Sequence, residues 1–354
     1  MELQTSETVR DIKKNNRVHR RLKRLREIGK EAKNVLVMIY GNPDPDALAS
    51  ALALKKILAT KKRTVTIGYT GAIGRPENAA MMTQLKIKAL PLDEKKAARY
   101  DLIALVDSQP HFFTDFKLSR CDIVIDHHPI VKKHKVGFAD IRPNYLSTSS
   151  IMTEYLKAAD IALTRNLASA LFYGIKTDMR HFMGEMTYGD IEAVKWLRQK
   201  ADRYIVNQIE FSQFTVESLD YFSIALVRRR FINGVMFSHL GSVPFSDICV
   251  QVADFLIRVE NVSWALVTGI VADTLMIVFR NDGIKKDAGY LARTAFDNIG
   301  SAGGHKSMGR AEIKQNALPR TLLLTDNRGI EEFVLGSLAK LDPVFLPIQK
   351  SVRA

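Results

Sequence analysis

The sequence predicts an α/β protein, with an open and mostly parallel sheet in an N-terminal domain and a smaller α+β domain after it. Two observations support this prediction. From Asn34 onward, short apolar runs alternate with helical patterns, which is typical of βαβ units. After about Glu217, strand patterns become more frequent. The length of 354 residues also suits two domains better than one.

The N-terminal domain is predicted to contain buried parallel strands, because its apolar runs are short and continuous. The predicted strands are Val35–Tyr40, Thr64–Tyr69, Leu102–Val106 and Asp122–Ile125, and the predicted helices are Ala47–Ala59, Ser149–Ala159 and Asn166–Ile175. A sheet of this kind binds ligands in the crevice beyond the carboxyl ends of its strands. We therefore expect functional side chains directly after these strands.

The second domain is predicted to contain four strands and two helices, with a hairpin at residues 271–274. The strands are Tyr221–Arg228, Asn233–Leu240, Trp264–Ile270 and Thr274–Phe279, and the helices lie near Ser246–Val259 and Lys286–Ile299. The predicted division of the chain is a basic helical extension (1–33), a first domain (34–187), a helical linker (188–217), a C-terminal domain (218–328), and a closing helix and tail (329–354).

The composition favours polyanionic partners. The chain has 52 basic and 38 acidic residues, a formal net charge of +14, and excess positive charge attracts phosphate-rich molecules. No apolar run is long enough to span a membrane and the N-terminus has no signal-peptide core, so we expect no membrane association and a cytoplasmic location. The only cysteines, Cys121 and Cys249, argue against a disulfide framework or a cysteine-based zinc site.

Residues 8–33 are predicted to form one amphipathic helix with a strongly basic face. Between Met1 and Lys33 there are eleven Lys or Arg and five Asp or Glu. One interpretation, which we favour, is a helix docked on its own domain with a solvated basic face. The other is an arm that contacts nucleic acid or a partner helix.

Four short acidic or histidine-bearing segments each follow an apolar segment. They contain, in chain order, Asp44 and Asp46, then Asp107, then Asp126, His127 and His128, and finally Asp178. Each residue alone has an ordinary structural explanation, and Asp46 in particular is expected to cap the helix that starts at Ala47. Together they predict a metal site, because parallel strands bring their carboxyl ends to one crevice.

The donor types also predict the metal. Carboxylates suit hard divalent ions and imidazole suits first-row metals, so the mixture favours Mn²⁺ over Ca²⁺, with Mg²⁺ as an alternative. One or two ions are expected. Two ions about 3.5–4 Å apart would activate a water molecule and neutralise a leaving oxygen.

At these residues the chain resembles the DHH phosphoesterase family, whose name describes Asp126, His127 and His128. The resemblance covers most of residues 34–310. It includes the C-terminal domain of the branch that contains RecJ exonuclease, nanoRNases and cyclic-dinucleotide phosphodiesterases. That branch carries a Gly-Gly-His segment, which here is Gly303-Gly304-His305, preceded by a substrate-binding arginine that matches Arg280. The resemblance implies an active site in the cleft between the two domains.

The resemblance also implies a role for each position. Asp107 would bridge two metal ions, Asp44 would bind one ion, and Asp46, His127 and Asp178 would complete the other. Asp126 would orient histidine rings, and His128 would approach the scissile phosphate as an acid or oxyanion stabiliser. Substrate would be held by Arg280, Gly303, Gly304 and His305.

One position departs from the family pattern. Most members have a histidine four residues before the first aspartate, where this chain has Tyr40. A neutral phenol is a poor metal ligand, because its ordinary pKa is about 10. The first ion would then bind weakly, use Asn42 or water instead, or be absent until substrate arrives, and His181 is a further possible replacement ligand. Ser301 and Ala302 also replace two usual glycines.

The resemblance implies an enzyme, a Mn-dependent hydrolase of phosphodiester or terminal phosphate bonds in short RNA or DNA oligonucleotides or small nucleotides. The chain length favours a nanoRNase, a pAp phosphatase or a cyclic-dinucleotide phosphodiesterase over a RecJ-like single-strand exonuclease. A nucleotide- or nucleic-acid-binding module with weakened catalysis is the alternative that Tyr40 suggests. A pyrophosphatase is not favoured, because those enzymes resemble this chain only in the first domain. Whether the chain forms a homodimer is left open.

Overall fold

The computed structural model describes residues 16–346, except residues 114–115, 133, 180–185, 213 and 305. Between residues 213 and 214 the chain divides into two compact units. The predicted α/β class, with a mostly parallel first sheet and a smaller mixed second domain, is confirmed.

The first unit is built on a parallel six-stranded sheet with the order β3-β2-β1-β4-β5-β6. Its strands are β1 (Asn34–Ile39), β2 (Thr64–Tyr69), β3 (Ala89–Pro91), β4 (Leu102–Val106), β5 (Ile123–Asp126) and β6 (Phe138–Ile141). The sequence predicted four of them and missed β3, which has only three residues, and β6, whose apolar run is interrupted by Asp140. The strand order reverses between β1 and β4, which is where a sheet of this type opens a crevice for ligands.

The helices of the first unit that the structure describes are α1 (residues 16–28), α2 (Pro45–Leu58), α3 (Pro76–Gln84), α4 (Glu94–Ala97), α5 (Thr148–Ala158), α6 (Arg165–Met179), α7 (Tyr188–Arg198) and α8 (Arg203–Glu210). Helices α2, α5 and α6 share one hydrophobic core with the sheet. The alanine-rich α2 buries Ala47, Ala49, Ala51 and Ala53 in that core, and these small side chains let neighbouring helices approach closely.

Helix α1 docks on the first unit through its apolar side. Val18, Leu22 and Leu25 are buried in the core, which agrees with the favoured interpretation of this helix. The helix ends at residue 28 rather than 33, and residues 8–15 of the predicted helix lie outside the described residues. The predicted linker of residues 188–217 contains α7 and α8, and both pack on the first unit through buried Leu197 and Ile209.

The second unit contains a mixed sheet with the order β11-β12-β10-β9-β8-β7. Its strands are β7 (Arg230–Ile232), β8 (Val235–Ser242), β9 (Trp264–Val271), β10 (Thr274–Asn281), β11 (Ser301–Gly304) and β12 (Met308–Lys314). Its helices are α9 (Ser218–Arg228), α10 (Asp247–Leu256), α11 (Ala288–Phe296) and α12 (Asn327–Ala339). The predicted hairpin joins β9 to β10 and turns at Ala272, whose φ is 54°.

The predicted strand Tyr221–Arg228 is wrong, because this segment is the helix α9. Ala225 is buried, and Tyr221 and Phe222 pack beside it against one hydrophobic cluster. Positions four and three residues apart meet on one side of a helix, whereas a short apolar run alone does not separate a helix from a strand.

Among the helices that the structure describes, none has both the length and the apolar character that a membrane span requires.

A glycine in α6 determines how closely this helix approaches α2. A Cβ atom on Gly174 would lie 2.7 Å from Ser149 Oγ and 3.1 Å from both Asp46 Cα and the Pro45 carbonyl oxygen. We expect Gly174→Ala to lower the free energy of unfolding by about 1–3 kcal/mol through overpacking. Urea denaturation followed by circular dichroism measures this change.

Gly336 in α12 is the matched control, because a Cβ atom there would meet nothing within 4 Å. Gly336→Ala should raise the free energy of unfolding by about 0.5–1 kcal/mol, since alanine loses less backbone freedom in a helix. Equal effects of the two substitutions would contradict the packing explanation.

Candidate metal centre

The loop between β1 and α2 carries the first two aspartates. Asp44 is the N-cap of α2 and its Oδ1 accepts a hydrogen bond from the Ala47 N–H at 2.8 Å. The expectation that Asp46 caps this helix is therefore wrong. Pro45 occupies the first helical position, where its fixed φ fits and its missing N–H costs nothing, so the helix begins two residues earlier than predicted.

Asp46 is instead held by the beginning of α5. Its carboxylate accepts hydrogen bonds from the backbone N–H groups of Thr148 and Ser149, each at 2.7 Å, and it is only 1% exposed. These N–H groups have no partner within their own helix, and the positive end of the helix dipole favours a carboxylate there. Asp46 thus fixes the loop after β1 against α5.

Asp107 follows β4 directly and has a φ of 53°, in the left-handed region. Its Oδ1 accepts a hydrogen bond from the Thr148 hydroxyl at 2.9 Å. Non-glycine residues in this region are uncommon, and they occur at sites where the surrounding structure holds them. The conformation turns the Asp107 carboxylate towards the beginning of α5, where Asp46 also lies.

His127 brings the remaining donors together. Its Nε2 lies 3.5 Å from Asp107 Oδ1 and 3.6 Å from Asp178 Oδ2. Its Nδ1 lies 3.3 Å from the backbone carbonyl oxygen of Tyr145, an acceptor that favours a proton on Nδ1. Nε2 then keeps its lone pair and faces the two carboxylates.

A buried ionic network supports the segment that contains Tyr145. Arg142 forms ion pairs with Asp140 at 2.7 Å and Glu154 at 2.6 Å, and Glu154 accepts a hydrogen bond from the Tyr145 hydroxyl. Arg21 of α1 reaches the same Asp140 at 2.7 Å. The carbonyl that meets His127 is therefore anchored through side-chain contacts that extend to the docked helix α1.

Asp126 and His128 form a separate pair. Asp126 is fully buried, and its Oδ1 lies 2.8 Å from His128 Nδ1 while its Oδ2 accepts a hydrogen bond from Gln109 Nε2 at 2.7 Å. Burial opposes both charges, but the hydrogen bond and ion pair outweigh it, so the pKa of Asp126 is lowered and that of His128 is raised. Asp126 therefore orients His128, whereas the ring of His127 is oriented by the Tyr145 carbonyl.

The remaining carboxylates are crowded together in a way that a cation would relieve. Burial, followed by the negative charges of Asp46 and Asp44, raises the pKa of both Asp107 and Asp178 well above the ordinary value. Removing carboxylates from water and placing them side by side is costly unless a positive charge compensates.

Among the described residues, two sets of donors have the spacing of metal ligands. One is Asp107, His127 and His128, the other is Asp46, His127 and Asp178, and within each set the ligand atoms lie within 4.8 Å of one another. Adjacent ligands around an octahedral divalent ion lie about 3 Å apart, so these sets fit a divalent ion with a small adjustment. His127 belongs to both sets, and the second set leaves His128 available for another role.

Asp44 belongs to neither set. The ring of Tyr40 packs on Phe113, with the ring centroids 4.7 Å apart. Asn42, the suggested replacement ligand, uses its Oδ1 to accept a hydrogen bond from the Ala72 N–H at 2.8 Å. The other suggested replacement, His181, lies outside the described residues.

The candidate substrate residues of the second unit lie at one end of its sheet. In the register of neighbouring strands, Arg280 is opposite Met308 and Gly304 is opposite Gly309. Arg280 is buried, and its Nε donates to Asp254 Oδ1 at 2.6 Å. Gly303 leaves open space at its Cα, with only Arg293 Nη1 at 3.9 Å from an added Cβ, and His305 lies outside the described residues.

Sequence reasoning missed four residues that shape the site: Gln109, Tyr145, Thr148 and Ser149. The signal for two of them was present, because the run Ser147–Ser150 before an apolar segment is typical of a helix N-terminus. Gln109 and Tyr145 act through contacts between distant segments, which no local pattern reveals.

Comparison with known families and sequences identifies relatives of this chain. Residues 34–175 match the family profile described as the DHH family, N-terminal domain. An uncharacterized protein of Methanocaldococcus jannaschii is 35% identical over 280 residues, which is 79% of this chain and 58% of that protein. The chain thus spans less than two thirds of the length of this relative.

A second sequence relative and a solved structure also resemble this chain. A probable manganese-dependent inorganic pyrophosphatase of Bacillus cereus is 26% identical over 243 residues, covering 62% of this chain and 74% of that protein. This alignment is longer than the predicted first domain. The crystal structure of an exopolyphosphatase-related protein from Bacteroides fragilis superposes with a TM-score of 0.72 at 15% identity, covering 92% of this chain and 97% of that one. The latter similarity shows a shared fold.

The crowding of carboxylates predicts that Asp178→Asn has opposite effects with and without metal. A carboxyl group whose pKa is raised in the folded state stabilises the protein below its ordinary pKa, and this contribution is lost as the pH rises through the folded pKa. In EDTA, the variant should therefore become more stable than the wild type as the pH rises from about 4 to 8.

With Mn²⁺ at about 100 times its Kd, the wild type should gain about 2.7 kcal/mol in the free energy of unfolding, and Asp178→Asn should lose most of that gain. Thermal unfolding with and without Mn²⁺ measures both effects. Asp160→Asn is the control, because Asp160 is an exposed turn residue outside both donor sets and Asn tolerates its φ of 50°. A full Mn²⁺ response in Asp178→Asn would exclude Asp178 as a ligand.

Proposed function

We propose that the chain, whose residues 34–175 match the DHH family, is a metal-dependent hydrolase of phosphate bonds in short oligonucleotides or small nucleotides. The observation that carries this proposal is the meeting of Asp46, His127 and Asp178 beside the Asp126–His128 pair. One group of residues suits a divalent cation and the other suits a proton donor. Phosphoryl transfer to water needs both, because negative charge gathers on the phosphate while the leaving oxygen requires a proton.

Divalent ions bound at this site, of which Mn²⁺ fits the mixed donors best, would neutralise phosphate oxygens and make a water molecule a better nucleophile. Asp46, His127 and Asp178 would hold such an ion, with Asp107 as a further carboxylate ligand. Asp46 accepts hydrogen bonds from the beginning of α5 and His127 donates one to the Tyr145 carbonyl, and these contacts keep the metal donors in place without substrate.

His128 is the proposed proton donor to the leaving oxygen. Asp126 binds its Nδ1 and raises the pKa of His128, which favours the imidazolium form that can supply a proton. In the second unit, Gly303 would let backbone N–H groups approach a phosphate closely. Arg280 would supply a positive charge, although Asp254 already neutralises part of it.

A second candidate substrate is inorganic pyrophosphate. The Bacillus cereus relative is described as a probable manganese-dependent inorganic pyrophosphatase, and its alignment extends beyond the predicted first domain. That length removes the reason for which this activity was not favoured. A pyrophosphatase would need the same cation site and proton donor but no contact with a nucleobase.

Replacing Asp107 or His128 tests the proposed chemistry. Asp107→Ala should lower kcat by about a thousandfold or more, because several kcal/mol of charge stabilisation are lost. His128→Gln should lower kcat by about 10²–10⁴-fold and remove the decline of kcat at alkaline pH that a general acid produces. Assays with Mn²⁺ and, separately, a short RNA, pAp, cyclic di-AMP and pyrophosphate measure both effects and identify the substrate.

Asp160→Asn should leave kcat unchanged and serves as the control. If the wild type binds one of these compounds but hydrolyses none, the protein is a binding module with the same fold. Tyr40→His then tests the cause, with Tyr40→Phe as the matched variant that keeps the ring on Phe113. Turnover that appears only in Tyr40→His would assign the loss of catalysis to this position.

A further inference from the structure

The docked helix α1 exposes a line of positive charge. Lys23 and Arg26 lie three residues apart on one side of the helix, Lys30 follows in the turn directly after it, and all three are exposed. The apolar residues of α1, such as Leu22 and Leu25, are turned into the core.

A neighbouring turn extends this line of charge. Arg63 donates hydrogen bonds to the carbonyl oxygens of Gly29 and Ala32, which holds the turn at residues 60–63 against the end of α1. Lys61 and Lys62 in that turn are both exposed. We call Lys23, Arg26, Lys30, Lys61 and Lys62 the α1 stripe.

The α1 stripe differs from the other basic residues of the same helix. Arg21 pairs with Asp140, and Arg24 donates to the carbonyl oxygen of Gly137 at 3.0 Å. Among the described residues, no carboxylate forms an ion pair with a member of the stripe. Lys23 and Arg26 are like charges three residues apart on the helix and repel one another, and in the part of the chain that the structure describes the exposed Glu27 beside them forms no ion pair with either.

We propose that the α1 stripe binds the phosphate backbone of a single-stranded nucleic acid. A polyanion removes the repulsion between these cations and releases its own condensed counterions. An anionic membrane fits less well, because an interfacial helix inserts an apolar face and α1 uses its apolar face to dock.

The direction of α1 relates the stripe to the metal centre. Arg24 contacts Gly137 just before β6, and Arg21 contacts Asp140 within β6, so α1 runs antiparallel to that strand. The N-terminal end of α1 therefore points towards the carboxyl edge of the sheet, where the candidate metal centre lies. A strand bound along the stripe would be directed towards that edge. The binding itself does not depend on the proposed hydrolysis.

The triple variant Lys23→Gln/Arg26→Gln/Lys30→Gln tests the proposal, because glutamine keeps helix propensity and removes charge. Binding of a fluorescent single-stranded RNA of about 20 nucleotides is measured by anisotropy in EDTA at several salt concentrations, where metal-dependent cleavage does not occur. The triple variant should bind at least about tenfold more weakly at low salt. The slope of log K against log salt should fall by about 2, from roughly 0.7 per lost phosphate contact.

The matched control is Lys314→Gln/Arg320→Gln/Lys340→Gln, which removes three exposed charges from the second unit. Its binding and salt slope should remain close to those of the wild type. Equal losses of RNA affinity in the two triple variants would show that net charge alone causes the effect, and this would overturn the proposal. Unchanged RNA binding in the α1 variant would also overturn it. Circular dichroism checks that the triple variant remains folded. If the triple variant unfolds, the single variant Arg26→Gln replaces it and should show about one third of the slope change.

Sedimentation with vesicles containing phosphatidylserine provides the competing outcome. Vesicle binding that the α1 variant loses, together with unchanged RNA binding, would assign the stripe to a membrane surface instead. Hydrolysis assays of the same variants on pAp separate this proposal from the proposed function. A short nucleotide does not reach along the stripe, so kcat for pAp should be unchanged even where RNA binding is lost.

Discussion

The candidate site depends on the contact between the Asp46 carboxylate and the first backbone N–H groups of α5. Two hydrogen bonds of 2.7 Å join segments about a hundred residues apart in the chain, in a place from which water is excluded. A buried carboxylate that lost these donors would pay its full desolvation cost. The contact therefore fixes the loop after β1 relative to α5, and the hydroxyl of Thr148 at the same helix end fixes Asp107 after β4.

The packing around this contact leaves the site little freedom to change. Gly174 places α6 against Pro45 and Asp46, and Asp178 lies one helical turn further along α6. The carboxylate of Asp178 consequently arrives beside Asp46 and near Nε2 of His127, although mutual repulsion would move it away. Folding brings these like charges together because helix packing and backbone hydrogen bonds stabilise the arrangement. A bound cation would relieve these unfavourable electrostatics.

The sequence predicted the location of this site because parallel strands impose a simple rule. Asp107 follows β4 and Asp126 ends β5, so apolar runs alone located both residues. Local patterns failed where two segments compete for one side chain. Asp46 looked like a helix cap, but the proline before it moved the cap to Asp44 and left Asp46 available to α5. The pairing of Arg280 with Asp254 joins two segments that share no local pattern, and the helix α9 was mistaken for a strand because its apolar run is short.

The docking of α1 keeps its basic residues apart from the carboxylates of the candidate metal centre. Arg21, which lies nearest to the site network, is neutralised by Asp140, and Asp140 is also held by Arg142, so this cation does not compete for the metal-binding carboxylates. The exposed lysines and arginine of the α1 stripe do not share the contacts of Arg21 with the site network. Screening over about 10 Å at ordinary salt would then allow a polyanion to be attracted to the stripe while divalent cations are attracted to the candidate metal centre. If all basic residues of α1 were paired near the site, no exposed charge would remain to attract a polyanion. If none were paired, α1 would lose its contact with the network that holds Tyr145, whose carbonyl oxygen meets His127.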